Sequence, residues 1–342
     1  MVVHHPQVAF RNALASIAAA AVNTSIRLLT WNLRYDLHPN SISVADTIAS
    51  LPHGTPADSR MKYYDNSSEV PWSTRRITIA NEVIFNRVDV LAVQEVLKRQ
   101  VTDLEILLGN EWGRVGVGRD DGVEAGEYSA IFYRKDVLTL LNCDTFWLSN
   151  TPSIPSKYPN ACCRRVTTLA HFSTGSNSKF TLMCTHWDQS SDAQRRLAAS
   201  LILYRGAYEA ATTDSPVFVL GDFNSPSTGQ DSGGFQIITG QMDPVEIETG
   251  FKEKYKIESG KSTDFMFQDV VAATPPERRS GHHATFTGFR PAGNSSEFQR
   301  IDFIMGGTNG GWKSISYRVG ESFYDNGSFS SDHRPVYSDI IV

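Results

Sequence analysis

Residues 216–226 read PVFVLGDFNSP. The apolar run at 217–220 is typical of a strand that is buried on both faces. Gly221 ends the run, and Asp222 and Asn224 follow it, so the strand would deliver polar groups to the edge of a core. Because Asp, Asn, Ser and Pro are also ordinary turn residues, this stretch alone fits a plain turn equally well.

The same arrangement recurs along the chain. Polar residues also stand at strand-like ends at Asn32, at Glu95, at His186 with Asp188, at Asp302, and at Asp332 with His333. A single strand-end carboxylate is usually a cap or turn residue, but a set built only from Asp, Asn, Glu and His is harder to explain in that way. If the strands pack as two sheets with their ends together, these residues meet in one cleft.

Such a cleft would concentrate carboxylates, which repel one another unless a cation lies among them. Oxygen-rich ligands without cysteine favour a hard ion, Mg2+ first and Mn2+ or Ca2+ next, whereas zinc prefers more nitrogen or sulfur. A centre of this kind suits hydrolysis of a phosphate ester, because the ion neutralises phosphate charge while a carboxylate deprotonates water. A histidine held by its own carboxylate can stabilise the transition state.

The composition is typical of a globular protein. The 342 residues are 40% hydrophobic and 20% charged, with a formal net charge of -5. This balance gives no global basic field, which weakens the case for tight non-specific binding to nucleic acid without excluding nucleic acid as a substrate. No repeat or low-complexity linker divides the chain, so we expect one domain over residues 26–342, acting as a monomer.

The N-terminal residues 1–25 fit two alternatives. Residues 13–22, ALASIAAAAV, resemble a weak signal-peptide core, and they also fit an Ala-rich helical extension. N-x-[ST] sequons occur at Asn23, Asn66, Asn294 and Asn326. These features favour secretion over a cytoplasmic location, and no stretch is long and apolar enough to span a bilayer.

The four cysteines are Cys143, Cys162, Cys163 and Cys184. None belongs to a C-x-x-C pair, so the spacing argues against a zinc site. Cys162 and Cys163 are adjacent and could not easily bond each other. We expect free, buried thiols, with one disulfide left open.

Apolar patterns predict strands at 26–33, 88–93, 112–117, 128–133, 138–148, 166–172, 180–184, 217–220, 300–305 and 336–342. Helical spacing predicts helices after Ser73, over 99–108, around Leu197 to Tyr208, and within 227–238. The segment 37–70 is polar and Pro-rich, and we expect an irregular surface insertion there. Arg75 and Arg76 are interpreted as part of a solvated helix face.

Seven segments resemble one family in their order along the chain. They are TWNLR (30–34), VLAVQEV (90–96), YSAIFYR (128–134), THWD (185–188), VLGDFNSP (219–226), RIDFIM (300–305) and SDHRPV (331–336). The chain resembles the endonuclease/exonuclease/phosphatase superfamily, which includes AP endonucleases, deoxyribonucleases, neutral sphingomyelinases and inositol polyphosphate phosphatases. The resemblance implies a four-layered α/β sandwich, with two mainly antiparallel sheets flanked by helices.

The resemblance also assigns a metal centre. Glu95 matches the principal ligand of the family's metal ion, and Asn32 and Asp332 match residues near the same ion. Arg34 stands where AP-type nucleases carry an aspartate, which supports one metal ion and leaves a second without support.

Catalytic roles follow from the same resemblance. Asp222 matches the carboxylate that orients or deprotonates the attacking water, with Asn224 beside it. His333 matches the histidine on the scissile phosphate, and Asp302 the carboxylate that orients this ring. His186 matches a second histidine of the deoxyribonuclease, sphingomyelinase and phosphatase branches, where AP endonucleases carry tyrosine.

Further residues are candidates for substrate binding. Asp188 in H-W-D, with Arg195 seven residues on, resembles a bacterial and fungal subgroup of uncertain substrate. A salt bridge that joins loop to helix is the alternative for this pair. Arg165 could hold a phosphate or pair with a surface carboxylate. His282 and His283 are interpreted as solvated loop residues.

Three functions are open to the sequence. The first is a phosphodiesterase or phosphatase acting on a small, lipid-derived or sugar-derived phosphate ester. The second is a nuclease, which would need a local basic groove and would lose activity steeply with salt. The third is a binding protein on an inactive enzyme fold, which the intact catalytic motifs disfavour.

Overall fold

The structure is a computed structural model that describes residues 24–51, 69–259, 261, 264–290, 295–324 and 327–342. Within this part of the chain, no helix is long and apolar enough to cross a membrane. The predictions for residues 1–23 and for the four sequons lie outside the described residues, as does half of the predicted insertion, residues 52–68.

Thirteen strands are found in the described residues. In chain order they are β1 Ser25–Asn32, β2 Val90–Val96, β3 Trp112–Val115, β4 Tyr128–Arg134, β5 Leu138–Trp147, β6 Val166–Thr174, β7 Lys179–His186, β8 Val217–Asp222, β9 Phe267–Asp269, β10 Arg279–Gly281, β11 Asp302–Gly307, β12 Lys313–Val319 and β13 Val336–Ile341. They form one sheet in the order β10-β12-β13-β1-β2-β4-β3 and another in the order β5-β6-β7-β8-β11-β9. Most neighbours are antiparallel, and the pairs β1–β2, β7–β8 and β10–β12 are parallel.

Most helices lie outside the two sheets. In chain order the helices are α1 Val44–Ala49, α2 Trp72–Phe85, α3 Lys98–Leu108, α4 Asp192–Thr213, α5 Gly233–Ile238, α6 Thr249–Lys254 and α7 Val270–Ala273, followed by a 3-10 turn at Pro276–Arg278. Helices α2 and α3 pack on the outer face of the first sheet, and α4 to α6 on the outer face of the second. The short α7 instead contacts β11 and β12, and its Val270 joins the apolar layer between the sheets.

Strand β8 shows why the layers form. Phe218 and Leu220 point into the apolar layer between the sheets, whereas Val217 and Val219 point to the layer shared with α4. All four side chains are buried because successive residues of a strand face opposite sides and both sides are covered. The predicted fold, a four-layered α/β sandwich with two mainly antiparallel sheets, is confirmed.

Several local predictions were wrong. The segment 37–70 contains the helix α1, which Ser43 caps with its side chain, and α2 begins after Pro71 rather than at a Ser73 cap. Arg75 and Arg76 are 1% and 0% exposed, so they are not a solvated face. Arg75 instead donates hydrogen bonds to the carbonyl oxygens of Leu33 and Ser330, at 2.6 and 2.8 Å. This guanidinium ties the chain after β1 to the loop before β13.

The cysteines are all free, as expected, but their predicted burial holds only for Cys184. Cys143 and Cys162 are exposed, and Cys163 is half-buried.

Candidate active site

Five strands bring polar residues at their ends to the same place. Asp222, the last residue of β8, pairs in register with His186 of β7 on one side and with Asp302 of β11 on the other. In the first sheet, the parallel pair β1–β2 sets Asn32 beside Gln94. The pairing register therefore assembles the site from strands that are distant in the sequence.

Gly221 permits the close approach of β7 and β8. Its φ is 152°, and a Cβ on this residue would lie only 1.9 Å from the carbonyl oxygen of Thr185. Beyond the strands, the rings of Trp187 and Phe223 stack at 4.1 Å and are fully buried. This stack fixes the two chain segments that carry His186 and Asp222.

A β-bulge delivers Glu95 to the site. The pairing of β2 with β4 shifts register between Val93 and Val96, and the extra residue turns the Glu95 carboxylate out of the strand. Asn32 Nδ2 donates to Glu95 Oε1 at 2.9 Å, and the backbone N–H of Tyr35 donates to Oε2 at 3.3 Å. The carboxylate is thus oriented before any ligand binds.

Left-handed backbone conformations mark the ends of β1, β2 and β8. The three residues, none of them glycine, are Arg34 (φ 58°), Glu95 (φ 65°) and Asn224 (φ 47°). Such conformations are disfavoured for residues with a Cβ and cluster at functional sites.

Asp222 lies at the centre of the hydrogen-bonded group. Its Oδ2 accepts from Asn32 Nδ2 at 3.0 Å, and its Oδ1 accepts from the Asn224 backbone N–H at 2.9 Å. His186 Nε2 and His333 Nε2 lie 3.4 and 3.6 Å from Oδ2. Burial, together with the charge of a neighbouring carboxylate, raises the pKa of Asp222 to about 7. A carboxylate with this pKa can accept a proton near neutral pH.

His333 and Asp302 form a buried ion pair. His333 Nδ1 donates to Asp302 Oδ2 at 2.8 Å. Burial lowers the pKa of His333, but the charges of Asp302 and Asp222 outweigh burial and raise it to about 10. The backbone of His333 is fixed as well, since its carbonyl oxygen accepts from Trp31 Nε1 at 2.9 Å. The ring is therefore a positioned imidazolium.

The charge of His333 gives a testable pH dependence. In the metal-free protein we expect this imidazole to stay protonated at pH 8, because its pKa is raised from 6.5 to about 10. Its contribution to stability is then complete below pH 6.5 and is lost as the pH rises through about 10. Asp302→Asn removes the largest attraction and should lower the pKa of His333 by at least about one.

Imidazole 15N NMR in the presence of a chelator measures this pKa. The exposed Asp243 lies outside the site, and Asp243→Asn should leave the His333 titration unchanged. A His333 ring that loses its proton near pH 6.5 in the wild-type protein would contradict the assignment.

His186 is neutral, in contrast to the protonated His333. Arg165 Nη1 lies 2.7 Å from His186 Nδ1, and because a guanidinium only donates, this nitrogen must accept. Burial, and next the charge of Arg165, lowers the pKa of His186 well below its usual value. The ring is therefore neutral, with its proton on Nε2 towards Asp222. Two histidines beside one carboxylate thus have different protonation states.

The predicted metal ligands offer the oxygen atoms that a hard cation prefers. Glu95 and Asp332 line the same cavity. The buried Asn32 amide donates to Glu95 through Nδ2, and its Oδ1 accepts from the Arg34 backbone N–H at 3.0 Å. Burial raises the pKa of Asp332 to about 6, while the charge of His333 acts against this shift and the charge of Glu95 adds to it. A divalent ion bound here would stabilise the ionised form of the carboxylate.

A second geometric group is a weaker candidate for ligands. Single donor atoms of Asp222, Asp302 and His333 lie within 4.8 Å of one another. His333 Nδ1 is hydrogen-bonded to Asp302 Oδ2 at 2.8 Å, and His333 Nε2 lies 3.6 Å from Asp222 Oδ2, so the three groups already have partners in one another.

The site opens into a cavity of about 610 Å³. Eight of the residues singled out from the sequence line it: Glu95, Arg165, His186, Arg195, Asp222, Asn224, Asp332 and His333. Asn32 and Asp302 are fully buried behind this lining, where they hold Glu95 and His333.

Asp188 does not line the cavity. Its fully buried carboxylate accepts from the backbone N–H groups of Cys162, Ser190 and Ser191, at 2.9 to 3.0 Å. Arg195 binds the Asp188 carbonyl oxygen rather than its carboxylate, at 2.9 Å, and its other end pairs with Asp231 at the cavity rim. Asp188 therefore shapes the loops and does not contact substrate from this position.

Sequence reasoning did not identify several residues that line the cavity. The unassigned lining residues include Tyr35, Arg119, Glu127, Gln189 and Asp231. Arg119 and Glu127 form a bidentate pair at 2.5 and 2.9 Å. Burial and next the charge of Glu95 raise the pKa of Glu127 to about 7 despite this partner. The one sequence signal was that Glu127 directly precedes the strand YSAIFYR.

Comparison with known proteins identifies the family and agrees with the fold. Residues 29–333 match the model of the endonuclease/exonuclease/phosphatase family. A search of curated proteins found no matching relative.

Solved structures share the fold over nearly the whole chain. An endonuclease/exonuclease/phosphatase from Bacteroides vulgatus is 26% identical, with a TM-score of 0.69, 93% of this chain and 98% of that chain covered. A mannosyl-6-phosphatase from Bacteroides thetaiotaomicron is 23% identical, with a TM-score of 0.67 and coverage of 93% and 100%. TDP2 from D. rerio, complexed with a single-strand DNA product, is 14% identical, with a TM-score of 0.57 and coverage of 93% and 99%.

Proposed function

The chain belongs to the endonuclease/exonuclease/phosphatase family, and from this premise we propose that it is a Mg2+-dependent phosphoesterase acting on a small, polyhydroxylated phosphate ester such as a sugar phosphate. Membership supports hydrolysis of a phosphate ester as the reaction. The nature of the cavity supports the choice of substrate.

The observation that carries the choice is the pairing of charges around the cavity. Of the four lining arginines, three are matched by a carboxylate: Arg119 by Glu127, Arg195 by Asp231, and Arg34 by Glu69. The fourth, Arg165, contacts His186 and Gln189 and lies 3.9 Å from the Asp188 carboxylate. Matched pairs offer both donors and acceptors, which suits hydroxyl groups, whereas a polyanionic strand needs unpaired cations along its path. The mannosyl-6-phosphatase among the structural neighbours gives a precedent for such a substrate on this fold.

Each site residue has its own role in an in-line attack by water. Asp222 accepts a proton from the attacking water, and Asn32 and Asn224 hold its two oxygens in place. The His333 imidazolium, oriented by Asp302, donates a hydrogen bond to the phosphate as negative charge develops on it. His186 keeps its neutral ring against the same carboxylate. Glu95, Asp332 and Asn32 would hold a Mg2+ ion, whose charge would neutralise that of the phosphate and stabilise the leaving oxygen.

A substrate panel tests the proposal. We expect hexose phosphates to be hydrolysed with a kcat/KM at least about tenfold above that for inositol phosphates, sphingomyelin, RNA or single-stranded DNA, which is a difference of about 1.4 kcal/mol. EDTA should abolish phosphate release, and added Mg2+ should restore it. The Asp222→Ala protein, purified in parallel, controls for contaminating phosphatases.

The competing result is nuclease activity. Preferential cleavage of DNA or RNA, with a rate that falls steeply between low and physiological salt, would replace the sugar-phosphate proposal with the nuclease alternative. Activity that survives complete removal of divalent ions would contradict the metal requirement.

A further inference from the structure

Two adjacent thiols lie in the cavity wall and have no role in the proposed reaction. Cys162 and Cys163 both line the cavity, and their Sγ atoms are 2.7 Å apart. Asp188 approaches them from the loop after β7, and its Oδ2 accepts from the Cys162 backbone N–H at 2.9 Å. The two Sγ atoms and one Asp188 oxygen lie within 4.8 Å of one another.

Positive charge lies beside the two thiols. The hydrogen bond between them moves their pKa values in opposite directions, and the charge of Arg165 acts to lower both. The thiolate that this charge stabilises is the form that binds metal ions.

We propose that Cys162, Cys163 and Asp188 bind one thiophilic divalent cation of the Zn2+ or Cd2+ class, at a site separate from the hard-ion centre at Glu95. Two thiolates and a carboxylate are ligands that a soft ion selects and that Mg2+ does not. Cys162 and Cys163 line the cavity, so water in the cavity could reach an ion bound to them.

Geometry and charge are compatible with such an ion. Thiolates bound to one tetrahedral zinc lie about 3.8 Å apart, so the two Sγ atoms need to separate by about 1 Å. Rotation of the exposed Cys162 side chain provides this movement. Any thiol proton is lost to solvent on binding. The charges of the ion, the two thiolates and the Asp188 carboxylate are then balanced by the Arg165 guanidinium, whose Nε lies 3.9 Å from Asp188.

The absence of a C-x-x-C pair argued against zinc, but the structure supplies the third ligand from a different loop. This site does not depend on the proposed function, because its occupation is read by spectroscopy without turnover.

The test is a Cd2+ titration of the reduced protein in excess Mg2+, followed by the ultraviolet thiolate-to-cadmium charge-transfer band. We expect one equivalent to saturate the band in the wild-type protein and in Cys143→Ser, which removes an exposed cysteine outside the cavity. Cys162→Ser and Cys163→Ser should each halve the intensity, and the double variant should show no band. Asp188→Asn should keep the band and weaken Cd2+ binding at least about tenfold.

Circular dichroism verifies that each variant is folded. A band of wild-type intensity in the folded double variant would overturn the proposal, as would the absence of a stoichiometric band in the wild-type protein. Unchanged Cd2+ affinity in folded Asp188→Asn would overturn the three-residue site. If Asp188→Asn does not fold, the two serine variants still decide the matter, since they leave the Asp188 hydrogen bonds intact.

Discussion

Replacing Asp222 with alanine should lower kcat by at least about a hundredfold, within the range expected for loss of a general base. The carboxylate is the group that both histidines approach, at 3.4 and 3.6 Å, so its removal also leaves their rings without a shared partner. KM should change much less than kcat, because Asp222 acts on the attacking water rather than on the body of the substrate.

Steady-state kinetics on the best substrate of the panel measures the effect, with circular dichroism and thermal melting as checks of folding. Asp243→Ala, which removes an exposed carboxylate outside the cavity, is the matched control and should retain full activity. Near-normal turnover by folded Asp222→Ala would rule out its role as the base.

Glu95→Gln should weaken the activating Mg2+ by more than about a hundredfold, the upper end of the loss caused by changing even an outer-shell partner. The amide keeps the size of the side chain but removes its charge. We expect the lost charge to account for most of the weaker Mg2+ binding, since the amide would occupy the same place on the bulge. Burial acts to raise the pKa of Glu95, yet the Asn32 hydrogen bond and the charge of His333 lower it overall, so the carboxylate is ionised at neutral pH.

Isothermal titration with Mg2+, together with activity as a function of Mg2+ concentration, reports the change. Asp231→Asn neutralises another carboxylate at the rim of the same cavity, and it should leave Mg2+ affinity as in the wild-type protein even if substrate affinity changes. Equal Mg2+ affinity in Glu95→Gln and wild type would remove Glu95 from the metal centre.

The sequence predicted the fold well where burial follows a regular period. Strand β8 and its neighbours are continuous apolar runs covered on both faces, and these are the clearest strand signals. Strand β12 was missed because a bulge between Ser314 and Ser316 interrupts its alternation, and because Ser314 is buried through hydrogen bonds rather than apolar contact. Local pattern alone does not reveal such a strand.

The same distinction applies to the site residues, some of which the sequence pattern revealed and others of which it did not. Residues at strand ends, such as Asp222 and His333, could be recognised because polar groups after apolar runs stand out. Arg75 was misinterpreted because a buried guanidinium that binds only carbonyl oxygens has no charged partner in the sequence to reveal it. Arg119 and Glu127 both come from the loop before β4, and only tertiary packing brings them to the cavity.

The left-handed backbone conformations at the ends of β1, β2 and β8 lower the stability of the fold while they present side chains at the site. Each such conformation costs about 1 kcal/mol or more, so the three together consume on the order of 3 kcal/mol of the roughly 5–15 kcal/mol that keeps a typical domain folded. Glycine would relieve this cost but would remove the side chain that the conformation presents. If variants were selected only for a higher melting temperature, we would therefore expect glycine substitutions at Arg34, Glu95 and Asn224 to be enriched. Such variants would gain stability and lose activity.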